Sequence, residues 1–244
     1  AIQVSAFEKN DTYVINGSKA WVTNGVNADL LFVFTQTDPE VSAKGIAALV
    51  VKPDMPGVSA KPAYTMLGNH AMGVNELEFS NCAVDAAQMA FPPGEGFKAA
   101  MYGISVGRFG VAAMCNGALE GGLNTAVDYA TNRNTFGRRI IAHQGLQWQL
   151  ADVATQLEAS RMLTYRAAEI IDTGQDFTLM AAHAKKFATR AAFEGLSTAM
   201  QVMGANGLLR ENPLARQMSG ARVTYYMDGT TEILNMVIGR SLLG

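Results

Sequence analysis

No run of about twenty apolar residues occurs in this sequence, so a membrane-spanning helix is not expected. Cysteine is scarce. Cys82 and Cys115 are the two present and lack C-x-x-C spacing, which fits two ordinary buried thiols in a reducing compartment better than a redox pair. The three histidines, His70, His143 and His183, stand far apart without ligand spacing, so no metal site is expected. Charge of either sign is thin: 19 basic against 21 acidic residues give a net charge of −2. A nucleic-acid or anionic-membrane partner would need a basic face, and none is expected here. The opening AIQVSAFEKN has neither the basic start nor the apolar stretch of a signal peptide. It reads as the middle of a strand, and the expectation is that the chain is part of something longer.

What is present is apolar material, 49% of 244 residues, enough for a substantial core in one large domain or two ordinary ones. The two ends of the chain differ in period. Up to about residue 90, short runs rich in Val, Ile, Phe, Tyr and Thr (IQVSAF, TYVINGSKAWVT, LLFVFTQT, GIAALVV, NELEFSN) alternate with turn clusters. That pattern predicts an antiparallel β-sandwich or barrel over residues 1–92. After Pro92-Pro93-Gly94 the period becomes helical. Helices are expected from Gly96 to about Asn132, from Gln144 to Asp172 on the seam Leu146, Leu150, Val153, Leu157, and to about Met203 behind an Asp176 cap. Two more are expected near Pro213–Tyr226 and Thr230–Leu243. Long helices on short loops predict a four-helix up-down bundle over 93–244, and most of the thirteen methionines fall there as core filler. The fold class is therefore α+β with the two classes segregated.

Four segments stand out, each with a plain reading beside a chemical one. Trp21-Val22-Thr23-Asn24-Gly25 ends a strand. It reads as an Asn-Gly turn, or as an indole that covers a planar cofactor beside a hydroxyl able to bond a ring nitrogen. Asn132-Arg133-Asn134-Thr135-Phe136-Gly137, followed by His143-Gln144, reads as a helix–helix loop or as an arginine fork for a diphosphate. Gln201-Val202-Met203-Gly204-Ala205-Asn206-Gly207 reads as a glycine helix stop or as a helix end that a ligand can approach closely. Asp228-Gly229-Thr230-Thr231-Glu232 reads as a helix cap or as a general base in a loop.

In this order and at these spacings, the W-V-T-N-G strand end, the R-x-T-F-G loop with its H-Q, the Q-V-x-G-x-N-G helix end and the x-G-T-x-E-I segment resemble the acyl-CoA dehydrogenase family, across essentially the whole chain. The resemblance covers that family's middle β domain and C-terminal helical domain; its N-terminal helical domain and the first segment of the β domain have no counterpart here. It implies FAD as cofactor, with Trp21 and Thr23 on the isoalloxazine and Arg133, Thr135, Phe136 and Gln144 reaching FAD across a subunit interface. Gln201, Val202, Gly204 and Ala205 would meet the adenosine diphosphate, and Thr230 and Glu232 would complete the set. Ser105, Arg108 and Gly229 would contact the acyl-CoA substrate. A homodimer or homotetramer, an electron-transfer flavoprotein as electron acceptor, a role in fatty acid metabolism and a cytoplasmic (or mitochondrial-matrix) location are implied as well. The implied reaction is α,β-dehydrogenation of an acyl-CoA thioester: a base removes the α-proton while a hydride leaves the β-carbon.

The sequence departs from that family at the base itself. The usual glutamate slot holds Asp228, and the alternative slot, just before the arginine of the first long helix, holds Gly107. With unchanged backbone, the missing methylene withdraws the carboxylate by about 1.5 Å. Three readings follow: a bulkier, α-branched or cyclic acyl group held at a different depth, which is preferred; a base for another acidic carbon; or dehydrogenation weakened or lost. The alternatives are an acyl-CoA oxidase, a nitroalkane-oxidase-like flavoenzyme and a non-catalytic subunit of the same fold. Gly68-Asn69-His70-Ala71-Met72-Gly73 also lacks the serine that family members often carry there.

Overall fold

The computed structural model describes residues 2–243, which divide into two compact units between Gly103 and Ile104. The first unit is built on seven strands: β1 (Ser5–Lys9), β2 (Thr12–Val22), β3 (Leu31–Gln36), β4 (Ile46–Val51), β5 (Val58–Ala60), β6 (Asn75–Asp85) and β7 (Met89–Phe91). They join in a single sheet of order β5-β6-β2-β1-β3-β4-β7. Every pair is antiparallel except β1 and β3, which run parallel through Ser5 and Gln36, so the sheet is mixed rather than purely antiparallel. The strand alternation works as expected: Leu31, Val33 and Thr35 of β3 point inward while Phe32 is exposed. Ile15, Leu49, Val51, Leu77 and Phe79 share one core although they come from opposite sides of the strand order, so the sheet curls around its own apolar face.

The second unit is helical. It comprises α1 (Gly96–Asn132) from Ile104 onward, the two-residue strands β8 (Asn134–Thr135) and β9 (Arg138–Arg139), then α2 (Gln144–Asp172), α3 (Thr178–Met203), α4 (Pro213–Thr224) and α5 (Thr231–Ser241). The predicted spans hold to within about two residues at most ends. Phe177, not the predicted Asp176, occupies the N-cap position of α3; the Asp176 carboxylate, one residue earlier, accepts from the Thr178 N–H (2.9 Å). That backbone bond and the Thr178 hydroxyl hold the Asp176 carboxyl below the usual range.

The predicted seam of α2 is buried at Leu150, Val153 and Leu157. α2 packs along α3, and α3 also carries α4 and α5. Close approach of α1 to α3 depends on two glycines. A Cβ on Gly122 would stand 2.3 Å from Leu196 Cδ2, and one on Gly195 2.5 Å from Leu119 Cδ1. Each leucine fills the notch left by the other helix's glycine, the interlocking that dense cores require. Among the described residues no helix is long and apolar enough to cross a membrane.

Candidate functional site

The link from α4 to α5 has an unusual backbone. Asp228 lies at φ 49° and Gly229 at φ 102°, so a non-glycine residue is held in the left-handed region. Buried cations fix it from two sides. Arg108 of α1, 6% exposed, donates from Nε to the Asp228 carbonyl oxygen (3.0 Å). Lys185 of α3, 0% exposed, donates from Nζ to the carbonyls of Gly229 (2.7 Å) and Tyr225 (3.1 Å). Thr230, not Asp228, occupies the N-cap position of α5.

The Asp228 side chain leans instead onto α1 at Gly107. A Cβ there would lie 2.6 Å from Oδ2, 2.7 Å from Cγ and 2.8 Å from Oδ1. Gly107, by having no side chain, makes the seat for this carboxylate. Burial pushes the Asp228 carboxyl above its ordinary range, against the pull of Lys185 and Arg108. Burial lowers Lys185 to about 8, with Asp228, Cys115 and Glu232 opposing the shift and Arg108 adding to it. A carboxylate so raised, partly buried and fixed by its own backbone has the properties of a general base. Glu232 sits exposed in the first turn of α5, and its own N–H and the Thr230 hydroxyl hold its carboxyl below the usual range. Ser105 is buried, its Oγ 3.3 Å from Thr178 Oγ1.

A second region gathers the other predicted residues of this unit. Arg133, Thr135, Phe136, Gln201, Val202, Gly204 and Ala205 line one cleft of about 500 Å³; Gln144, exposed at the start of α2, does not line it. Phe136 and Gly137 form the tip of the β8–β9 hairpin, both with positive φ (51° and 78°), as a tight two-residue turn demands. Phenylalanine is a poor residue for that conformation, and here its ring is 95% exposed. Gly204 ends α3 with φ 59°, and the space its Cβ would fill is open.

His143 also lines the cleft and is missing from the residues predicted there. Arg138 Nη2 lies 2.9 Å from His143 Nδ1; because arginine only donates, Nδ1 accepts and Nε2 carries the proton. That Nε2 is buried without a partner. An orphaned donor beside Arg133 and an open helix end suit an anionic ligand such as a diphosphate.

In the β unit, Trp21 occupies the register shift of β2 against β6 between Lys19 and Val22. Its φ is 60°, its indole is 69% exposed and its ring lies 4.7 Å from that of Tyr64. A bulky residue in this region is a true backbone outlier, of the kind that marks ligand sites. Thr23, also exposed, opens the turn that follows, and Asn24 donates from its N–H to the Met72 carbonyl (2.7 Å). The 68–73 segment thus buttresses the Trp21 turn. Cys82 and Cys115 are buried, and burial raises both thiols. Among the described residues no three potential metal ligands gather.

The chain as a whole matches a known family. Residues 1–82 match the acyl-CoA dehydrogenase middle domain and 94–243 the acyl-CoA dehydrogenase C-terminal domain. The chain is 38% identical over 244 residues to an acyl-CoA dehydrogenase of Bacillus subtilis (strain 168), covering all of this chain and 64% of that protein. It is equally 38% identical to cyclohex-1-ene-1-carbonyl-CoA dehydrogenase of Geobacter metallireducens, again over all of this chain and 64% of the relative. Among solved structures, butyryl-CoA dehydrogenase from Megasphaera elsdenii superposes with a TM-score of 0.96 at 38% identity, over 99% of this chain and 63% of that one. The chain belongs to the acyl-CoA dehydrogenase family, and it spans a little under two thirds of the length of these relatives.

Proposed function

We propose that the whole protein oxidises an acyl-CoA thioester at its α,β-bond with FAD, using Asp228 as the base, and that its acyl group is branched or cyclic. One observation carries the base assignment: the Asp228 carboxylate, raised by burial, sits on Gly107 at the end of a loop fixed by Arg108 and Lys185. The substrate class rests on the shortened base; among relatives of similar identity one is named for a cyclic acyl-CoA and others as short-chain specific.

FAD, when bound, supplies the hydride acceptor. Trp21 and Thr23 present a flat face and a hydroxyl suited to a flavin ring. Arg133, the His143 Nε2–H and the open end of α3 suit a diphosphate, with Thr135, Phe136, Gln144, Gln201, Val202, Ala205, Thr230 and Glu232 completing the cofactor contacts. Asp228 takes the α-proton. Burial raises its carboxyl above the ordinary range, which makes the carboxylate a stronger base for that task. Arg108 and Gly229 border the base, and with Ser105 they are the residues proposed to contact the acyl-CoA substrate. Assembly as a homodimer or homotetramer and transfer of electrons to an electron-transfer flavoprotein in the cytoplasm (or mitochondrial matrix) belong to the same proposal.

The test is anaerobic flavin reduction by the whole protein with straight, α-branched and cyclic acyl-CoAs. Asp228→Asn should lower the rate at least a hundredfold, the usual worth of a positioned base. Asp228→Glu should shift preference toward straight chains. Wild-type flavin reduction by Asp228→Asn would overturn the base assignment, and equal rates on all three substrate classes would overturn the acyl class.

A further inference from the structure

A lysine in the middle of a buried helix face needs an explanation. Around Lys185, α3 buries Ala181, Ala182, Ala184, Ala188 and Thr189. An ammonium in such surroundings is costly unless its hydrogen bonds repay it. The partners of Lys185 are two backbone carbonyls, not a carboxylate: Tyr225 O at the end of α4 and Gly229 O just before α5. Those carbonyls flank Asp228. By bonding both, Nζ closes residues 225–229 into a hoop whose outer member is Asp228 in its left-handed conformation.

We infer that Lys185 is a positioning residue: through its bonds to the Tyr225 and Gly229 carbonyls it holds the loop so that the Asp228 carboxylate stands on Gly107. The inference rests on Asp228 being the base. A simpler role exists, since a cation at the C-terminal end of α4 also offsets the helix dipole. The two roles differ in what they do to Asp228. A mere helix cap affects stability, whereas a positioning charge also shifts the protonation of the carboxylate.

The charged and titratable groups that face Lys185 are Asp228 on the loop, Arg108 and Cys115 on α1, and Glu232 on α5. The effect has a definite sign. The Lys185 charge lowers the Asp228 carboxyl, so its removal raises that carboxyl and ionisation then requires higher pH. Flavin reduction depends on the ionised form, so its acid limb must move to higher pH.

Lys185→Met removes the charge and both hydrogen bonds. Lys185→Gln removes the charge but keeps a two-hydrogen donor. Both are made in the whole flavoprotein. Lys185→Met should lower the limiting rate of flavin reduction about 10- to 100-fold through misplacement of the base, with substrate affinity and FAD content nearly unchanged. Lys185→Gln should lose less rate yet show the same upward displacement of the acid limb. A readout independent of turnover is the infrared carboxyl band that titrates in the wild type and is absent from Asp228→Asn; its midpoint should rise in both lysine variants. If the folded, FAD-containing variants leave limb and band unmoved while Asp228→Asn is inactive, Lys185 is a helix cap only. If Asp228→Asn is itself active, the base assignment fails first, and the two failures are told apart.

Discussion

Gly107→Ala adds one methyl group and tests where the base works from. The new Cβ would lie 2.6–2.8 Å from the three terminal atoms of the Asp228 carboxylate, against an ordinary contact of 3.4 Å or more. The carboxylate must therefore retreat by about 0.6–0.8 Å, a misplacement expected to cost about 10- to 100-fold in rate. In activation free energy this is about 1.4–2.7 kcal/mol. Stability should move the other way. Alanine is better than glycine in a helix interior by up to about 1 kcal/mol, and the atoms in conflict are the free end of a side chain. The expected protein is thus as stable as the wild type, or more so, with full FAD content and slow flavin reduction. Stopped-flow reduction under anaerobic conditions, a thermal melt and a flavin-to-protein ratio measure the three quantities. A folded, FAD-replete Gly107→Ala that reduces its flavin at the wild-type rate would show that the carboxylate does not act from this seat.

Two more expectations concern the bundle. Arg133→Ala should weaken FAD retention, seen as a lower flavin-to-protein ratio after dilution and a smaller rise in Tm on adding FAD, while the Tm of the flavin-free protein stays near that of the wild type. Asn116→Ala should destabilise the protein by about 1–3 kcal/mol in chemical denaturation, because buried polar partners are left unpaired. Asn116 accepts from the Ser160 Oγ and donates from Nδ2 to the Thr164 Oγ1 (2.9 Å), all three residues being buried between α1 and α2. Unchanged stability there would mean that the trio contributes nothing net.

The helices were legible because a 3.6-residue period and a cap are local properties, and the Leu150, Val153, Leu157 seam of α2 lies where the pattern puts it. The longer strands were legible for the same reason. β5 and β7 were not, since three residues are too few to show alternation. The parallel pairing of β1 with β3 is likewise a choice of partner, and side-chain alternation in one strand carries no record of which strand lies beside it.

For the site, sequence alone supplied the motifs, their order and the identity of the residue in the base slot. It left Asp228 divided between helix cap and base, because both readings use the same local pattern. Tertiary structure removed the cap reading, since Thr230 holds the N-cap position, and showed what surrounds the Asp228 carboxylate. The neighbours that matter, Gly107, Arg108 and Lys185, come from two other helices, and the Arg108 bond spans 120 positions of the chain. A lysine at position 185 reads in the sequence as one more charged residue on a helix. Only packing shows that it is wholly buried and joined to the carbonyls on either side of Asp228. Residue type and spacing fix which groups are available; the proton affinity of a carboxylate depends on burial and nearby charge, which exist only once distant segments are brought together.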